Sequence, residues 1–114
     1  MSWGHAVSRD LLHWEQKDDV LFPDETGTMF SGSGIVNDRK MLGLPEDAVI
    51  FFYTADGNNN KWSAGKQFTQ RIAYSTDLLK WEQTDGVRQA AYINKIAYAA
   101  QTYSNTGNLC MTVQ

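Results

Sequence analysis

A single cysteine, Cys110, stands in the 114 residues, so the chain can close no internal disulfide and build no cysteine metal cluster. The two histidines, His5 and His13, lie eight apart with no third ligand in reach of the pattern, which argues against a zinc set. Basic side chains are outnumbered, 10 against 13 acidic, for a net charge of −3. With a pI near 5.2 the chain shows no basic footprint for nucleic acid or for an anionic membrane surface. No apolar run approaches the roughly 18 residues of a membrane-spanning helix. Also missing are a phosphate-cradling glycine loop, a nucleophile elbow and a kinase signature. No secretory leader is expected at the front, where Met1 runs straight into Ser2-Trp3-Gly4-His5. What remains is a globular composition, 42% apolar and 20% charged, of a length that suits one domain. Aromatic residues reach 12%, a level that serves strand packing and carbohydrate contact alike.

The strongest internal signal is a repeat. His5-Ala-Val-Ser-Arg-Asp-Leu-Leu-His-Trp-Glu-Gln16 returns as Ile72-Ala-Tyr-Ser-Thr-Asp-Leu-Leu-Lys-Trp-Glu-Gln83, identical at eight of twelve positions with an offset of 67 residues. Each copy reads as a strand ending at Ser, a turn carrying Asp, and a second strand with Trp-Glu-Gln. Asp10 and Asp77 are placed to accept from backbone N–H groups and close the turns. Trp14 and Trp81 each offer a large apolar face to neighbouring strands.

Between the copies, Phe30–Asn37 and Val49–Thr54 read as strands, the first followed by the turn signals Asp38, Gly43 and Pro45. The second is a continuous apolar run, as expected of a strand covered on both faces. Turn formers at Asp56-Gly57 and Asn58-Asn59-Asn60 lead to strands at 70–75 and 80–83. The order 30–37, 49–54, 70–75, 80–83 predicts a four-stranded antiparallel meander, with 3–8 and 13–16 as the last two strands of a preceding unit. That is blade anatomy: the fold class is all-β, a partial β-propeller of one four-stranded blade plus the outer hairpin of the blade before it. Two open sheet edges then offer a route to self-association. From Ile96 to Gln114 there is no charged side chain. The expected division is a propeller part over 1–86 and a divergent tail over 87–114, with a short helix near 88–100 and a weak strand or disorder in the last dozen residues.

Several segments resemble the five-bladed catalytic domain of glycoside hydrolase family 32, the invertase, inulinase and levanase group. They are Trp3-Gly-His-Ala-Val-Ser-Arg-Asp-Leu-Leu-His-Trp14, Pro23-Asp-Glu25, Phe30-Ser-Gly-Ser33, Tyr53-Thr54 and Gln70-Arg-Ile-Ala-Tyr-Ser-Thr-Asp77, in the family's order and covering about residues 3–85. The resemblance implies retaining hydrolysis of β-fructofuranosides such as sucrose, inulin or levan, with no metal and no cofactor. An aspartate nucleophile and a glutamate acid/base would flank the scissile bond about 5–5.5 Å apart. In the family these sit in Asn-Asp-Pro-Asn and Glu-Cys segments, with a second aspartate in Arg-Asp-Pro. None of the three motifs occurs in this sequence. Val87-Arg88-Gln89-Ala90-Ala91 stands where Arg-Asp-Pro is expected, no glutamate follows Glu82, and Leu109 precedes Cys110. No catalytic residue is therefore assigned, and the chain is expected to be a truncated form, inactive alone. Full-length members of the family are often secreted or periplasmic.

What the resemblance does carry over is the substrate-binding segment Phe30, Ser31, Gly32 and Ser33. A Phe ring would cover the apolar side of a fructosyl unit, the hydroxyls would bond its oxygens, and glycine would let backbone approach closely. The plainer reading is a tight strand start with a buried Phe. Asp24 and Glu25, if extended, point to opposite faces and so cannot serve one centre; a pocket rim or an exposed loop are their two readings. Trp3 reads as packing or sugar stacking, His5 as a packed strand residue and His13 as exposed. Tyr53, Thr54 and Asp56 end the apolar strand, where a funnel would expose them. A non-catalytic carbohydrate-binding or self-associating propeller fragment is the alternative from another class. Sialidase propellers also carry Ser-x-Asp hairpins, but their repeat holds a glycine that Ser75-Thr-Asp-Leu-Leu-Lys-Trp81 lacks.

Overall fold

A computed structural model of the chain describes residues 1–83, 101–105 and 108–112. The strands, in order, are β1 (Trp3–Ser8), β2 (Trp14–Leu21), β3 (Thr28–Val36), β4 (Val49–Asp56), β5 (Thr69–Ser75), β6 (Glu82–Gln83), β7 (Gln101–Asn105) and β8 (Asn108–Thr112). They form three antiparallel sheets: β1-β2, β3-β4-β5-β6 and β7-β8. The four-stranded sheet is the expected up-and-down meander, and β1-β2 is the hairpin ahead of it. The proposed helix near 88–100 lies outside the described residues. In the last dozen, β7 pairs with β8, and β7 runs beside β3.

The apolar run of β4 is explained by two cores. Leu21, Met29, Tyr53, Ala55 and Ala73 pack on one face, with Trp3 and Val20 closing from the hairpin side. Ile50, Phe52 and Ile72 pack on the other, with Ile35, Leu44 and Tyr74 around them. A period-2 strand with apolar residues at both parities is what two covered faces demand. Aromatic rings join hairpin to sheet: Trp3 lies 5.2 Å from Phe51, His5 meets Trp81 edge-on at 6.3 Å, and Phe51 stacks on Trp81 at 4.2 Å. The duplicated tryptophans thus differ. Trp81 covers a neighbouring strand as expected, whereas Trp14 is 58% exposed, because no described strand lies over its side of the β1-β2 hairpin.

The repeated turns share one hydrogen-bond pattern. Ser8 Oγ accepts from Leu11 N at 2.8 Å and donates to Asp10 Oδ1, which accepts from Leu12 N and His13 N at 2.9 and 2.8 Å. In the second copy Ser75 Oγ accepts from Leu78 N at 2.9 Å, and Asp77 Oδ1 from Leu79 N and Lys80 N at 2.8 and 2.9 Å. Leu11 and Leu78 take the left-handed conformation, with φ of 64° and 63°, a strain these bonds offset. The identical Ser and Asp of the repeat are the acceptors that close the turn, and the identical Leu supplies its backbone.

These bonds set an acid limit. The backbone N–H of His13, with the His13 side chain and Leu12 N–H, holds Asp10 well below the usual carboxylate range, and the N–H groups of Lys80 and Leu79 lower Asp77. A carboxylate with a depressed folded pKa contributes stability above its ordinary value of about 3.9 and loses it as pH falls through the folded value. Thermal unfolding followed from pH 5 downward is therefore expected to show stability falling below about pH 4. Asp77→Asn should remove part of that fall; an acid limb identical to that of the parent chain would show that Asp77 does not contribute.

Candidate functional site

The Phe30–Ser33 segment lies in β3, the strand that begins the four-stranded sheet, and the ladder to β4 slips there. Met29 pairs with Ala55 and Gly32 with Tyr53, so Phe30 and Ser31 together stand opposite Thr54. One extra residue on one strand is a β-bulge, a device that bends a strand and re-aims its side chains. It also exchanges the faces of β3. Before the bulge Met29 joins the core on the hairpin side; after it Ile35 packs with the opposite core. Gly32 and Gly34 then fall opposite Tyr53 and Phe51. A Cβ on Gly34 would come within 2.9 Å of the Phe51 ring, and one on Gly32 within 1.9 Å of the Phe52 carbonyl oxygen.

Phe30 is half-buried, its ring edge-on to Phe68 at 6.3 Å, and Ser31 beside it is exposed. Gly32 and Ser33 are half-buried. Trp3 Nε1 donates to the Phe30 carbonyl at 2.9 Å, so the indole packs and bonds inward. Two loops border the same end of the sheet. In the first, Asp24 Oδ1 accepts from Thr26 N at 2.8 Å and from Thr26 Oγ1 at 2.6 Å, while Glu25 stays exposed. Asn60 Nδ2 of the second loop donates to the Asp24 carbonyl at 3.3 Å, tying the two together.

Tyr53, Thr54 and Asp56 are buried, not exposed as the strand-end reading predicts. Their cover comes from across the sheet and from the second loop: Gln70 Nε2 donates to Thr54 Oγ1 at 2.8 Å, and Asn59 Nδ2 donates to Asp56. Burial pushes the Tyr53 hydroxyl up to about 12; Arg71, which hydrogen-bonds to it, acts in the opposite sense, and the Asp24 carboxylate adds to the rise. Gln70, Phe68, Asn59 and Arg71 are neighbours to which sequence reading assigns no part in the site, Asn59 being read only as a turn former. Gln70 and Arg71 do fall in a quoted motif, but their partners are set by strand register. Among the described residues no group of three or more His, Cys, Asp or Glu could hold a metal ion.

Among the described residues the bulge offers contact chemistry: an aromatic edge, an exposed hydroxyl and close backbone. Away from it, an open cleft of about 700 Å³ lies between the two repeated turns, lined by Arg9, Asp10, Trp14, Glu15, Asp77 and Leu79 among others. None of the four motif residues lines it.

A family model described as the glycosyl hydrolases family 32 N-terminal domain matches residues 1–107. A levanase of Bacillus subtilis is 41% identical over 80 residues, spanning 68% of this chain and 11% of the levanase. A fructan β-fructosidase of Streptococcus mutans is 34% identical over 91 residues, spanning 76% of this chain and 6% of that protein. An invertase of Schizosaccharomyces pombe is 38% identical over 86 residues, spanning 66% of this chain and 14% of the invertase. The chain thus spans a small part of each of these relatives. Among solved structures, the GH32 β-fructofuranosidase of Bombyx mori matches 99% of the chain and 23% of its own length, with a TM-score of 0.71 at 19% identity. That likeness establishes the fold.

Proposed function

The chain belongs to glycosyl hydrolase family 32, and from that premise we propose that it supplies the fructosyl-contacting blade of a β-fructofuranoside hydrolase. The substrate class is sucrose, inulin or levan, and the mechanism is retaining by resemblance. Phe30 covers the apolar side of the sugar ring, Ser31 exchanges hydrogen bonds with its hydroxyls, Gly32 permits close approach of backbone, and Ser33 follows on the same strand. Residues 1–86 form the propeller part and 87–114 a divergent tail, the family match running on to residue 107.

The observation that carries this reading is the bulge: an exposed hydroxyl beside a half-buried aromatic, at the point where β3 is bent out of its ladder. Within residues 1–114 there is no Asn-Asp-Pro, Arg-Asp-Pro or Glu-Cys segment, so the carboxylate pair that retaining hydrolysis needs is not supplied by them. The 114-residue polypeptide is expected to bind fructo-oligosaccharide weakly and to turn over none of sucrose, inulin or levan. Calorimetric titration with 1-kestose and a reducing-sugar assay test both halves. Loss of the heat signal in Phe30→Ala and Ser31→Ala is the expected result. Hydrolysis above a heat-killed control, or binding indifferent to both substitutions, would contradict the reading, and light scattering in the same samples reports self-association.

A further inference from the structure

We propose that Trp3 is a positioning residue for the sugar-contacting bulge, its indole N–H fixing the Phe30 carbonyl and with it the direction in which Ser31 presents its hydroxyl. The inference rests on the reading that Phe30 and Ser31 meet the fructosyl unit.

A bulge leaves one residue of the longer strand out of the ladder, and its peptide groups need partners elsewhere. Here the N-terminal segment, Met1 and Trp3, supplies partners on both sides of the irregularity. Met29 N donates to the Met1 carbonyl at 3.1 Å, and Trp3 Nε1 donates to the Phe30 carbonyl at 2.9 Å. The second bond is directional because the indole is packed between two other rings. Its ring lies 5.2 Å from Phe51, inclined by 51°, and 6.1 Å from Tyr53, inclined by 65°. The Phe30 ring is held in turn by Phe68. The Phe30–Ser31 peptide thus lies between a packed donor and a packed aromatic pair, while Ser31 next to it faces solvent. Sugar stacking, the other role open to Trp3, is disfavoured by the same geometry, since the ring is occupied by Phe51 and Tyr53. Preorganisation of this kind raises affinity by removing the ordering cost from the binding step.

The test separates the N–H from the ring. Trp3→Phe removes both the donor and part of the packing. Trp3→benzothienylalanine keeps the shape of the bicycle and replaces N–H by sulfur, so it is the deciding variant should Trp3→Phe fail to fold. In the full 114-residue chain, the isostere is expected to unfold close to the parent temperature, to shift the Ser31 and Gly32 amide resonances, and to weaken 1-kestose binding about fivefold, the equivalent of one hydrogen bond. A folded isostere with unmoved Ser31 and Gly32 amides, or with unchanged affinity while Phe30→Ala abolishes binding, would overturn the positioning role. If instead the amides move but neither Phe30→Ala nor Ser31→Ala affects 1-kestose, the clamp stands as structure and the sugar reading fails.

Discussion

Gly32→Ala is expected to abolish the fold of the four-stranded sheet, at a cost above about 3 kcal/mol. The methyl carbon would sit 1.9 Å from the Phe52 carbonyl oxygen and 2.7 Å from Tyr53 Cα. Both obstacles are backbone, so no rotamer change relieves them. The only remedies are to part β3 from β4 or to move the bulge, and each breaks the ladder that carries both cores. Gly43→Ala is the matched control. Its added methyl meets nothing within 4 Å, and it suffers only from a φ of 67°, worth about 1 kcal/mol. Urea unfolding followed by circular dichroism should give a measurable midpoint for the Gly43 variant and no cooperative transition for the Gly32 variant. Cooperative unfolding of the Gly32 variant near the parent midpoint would show that the registered pairing of β3 with β4 is wrong.

Asn37→Ala is expected to destabilise by about 2–4 kcal/mol, the cost of stranding several polar groups at once. Asn37 is fully buried at the other end of β3 and organises the whole connection to β4. Its Nδ2 donates to the carbonyls of Met41, Leu44 and Pro45 at 3.0–3.2 Å, and its Oδ1 accepts from Met41 N at 2.7 Å. Its backbone adds bonds to Ala48 and Asp47 at 2.7 and 2.9 Å. Asn37→Asp should be worse than alanine near neutral pH, because a carboxylate would face three carbonyl oxygens with no proton to give them. The urea midpoint should therefore order as parent, Ala, Asp. Because this loop lies at the end of the sheet opposite Phe30–Ser31, sugar titration of the folded alanine variant should match the parent. An unfolding free energy for Asn37→Ala within about 0.5 kcal/mol of the parent would mean that the loop does not hang on this side chain.

Much of the architecture was legible because its signals are local. The duplicated Ser-x-Asp-Leu-Leu-x-Trp turn names its own acceptors, and the Val49–Thr54 run announces a strand covered twice. What escaped is everything decided across strands. The bulge is a relation between Phe30-Ser31 and Thr54, residues more than twenty positions apart, and no local pattern distinguishes it from an ordinary strand start. Thr54 and Asp56 are buried and take hydrogen bonds from Gln70 and Asn59, so a strand-end reading exposes residues that the sheet and loop enclose. Equal copies of the repeat gave unequal tryptophans for the same reason: Trp81 stacks on Phe51, whereas Trp14 is 58% exposed. The Phe30–Ser33 motif was readable only through family resemblance, and its hydrogen bond from Trp3 was readable from neither.

Backbone amide mapping puts the site most directly to trial. With 1-kestose added to ¹⁵N-labelled chain, the largest saturable shifts are expected at Phe30, Ser31, Gly32 and Ser33. Shifts centred on Arg9–Trp14 and Asp77–Leu79, in the cleft between the repeated turns, with Phe30–Ser33 unmoved, would place the carbohydrate elsewhere on the blade.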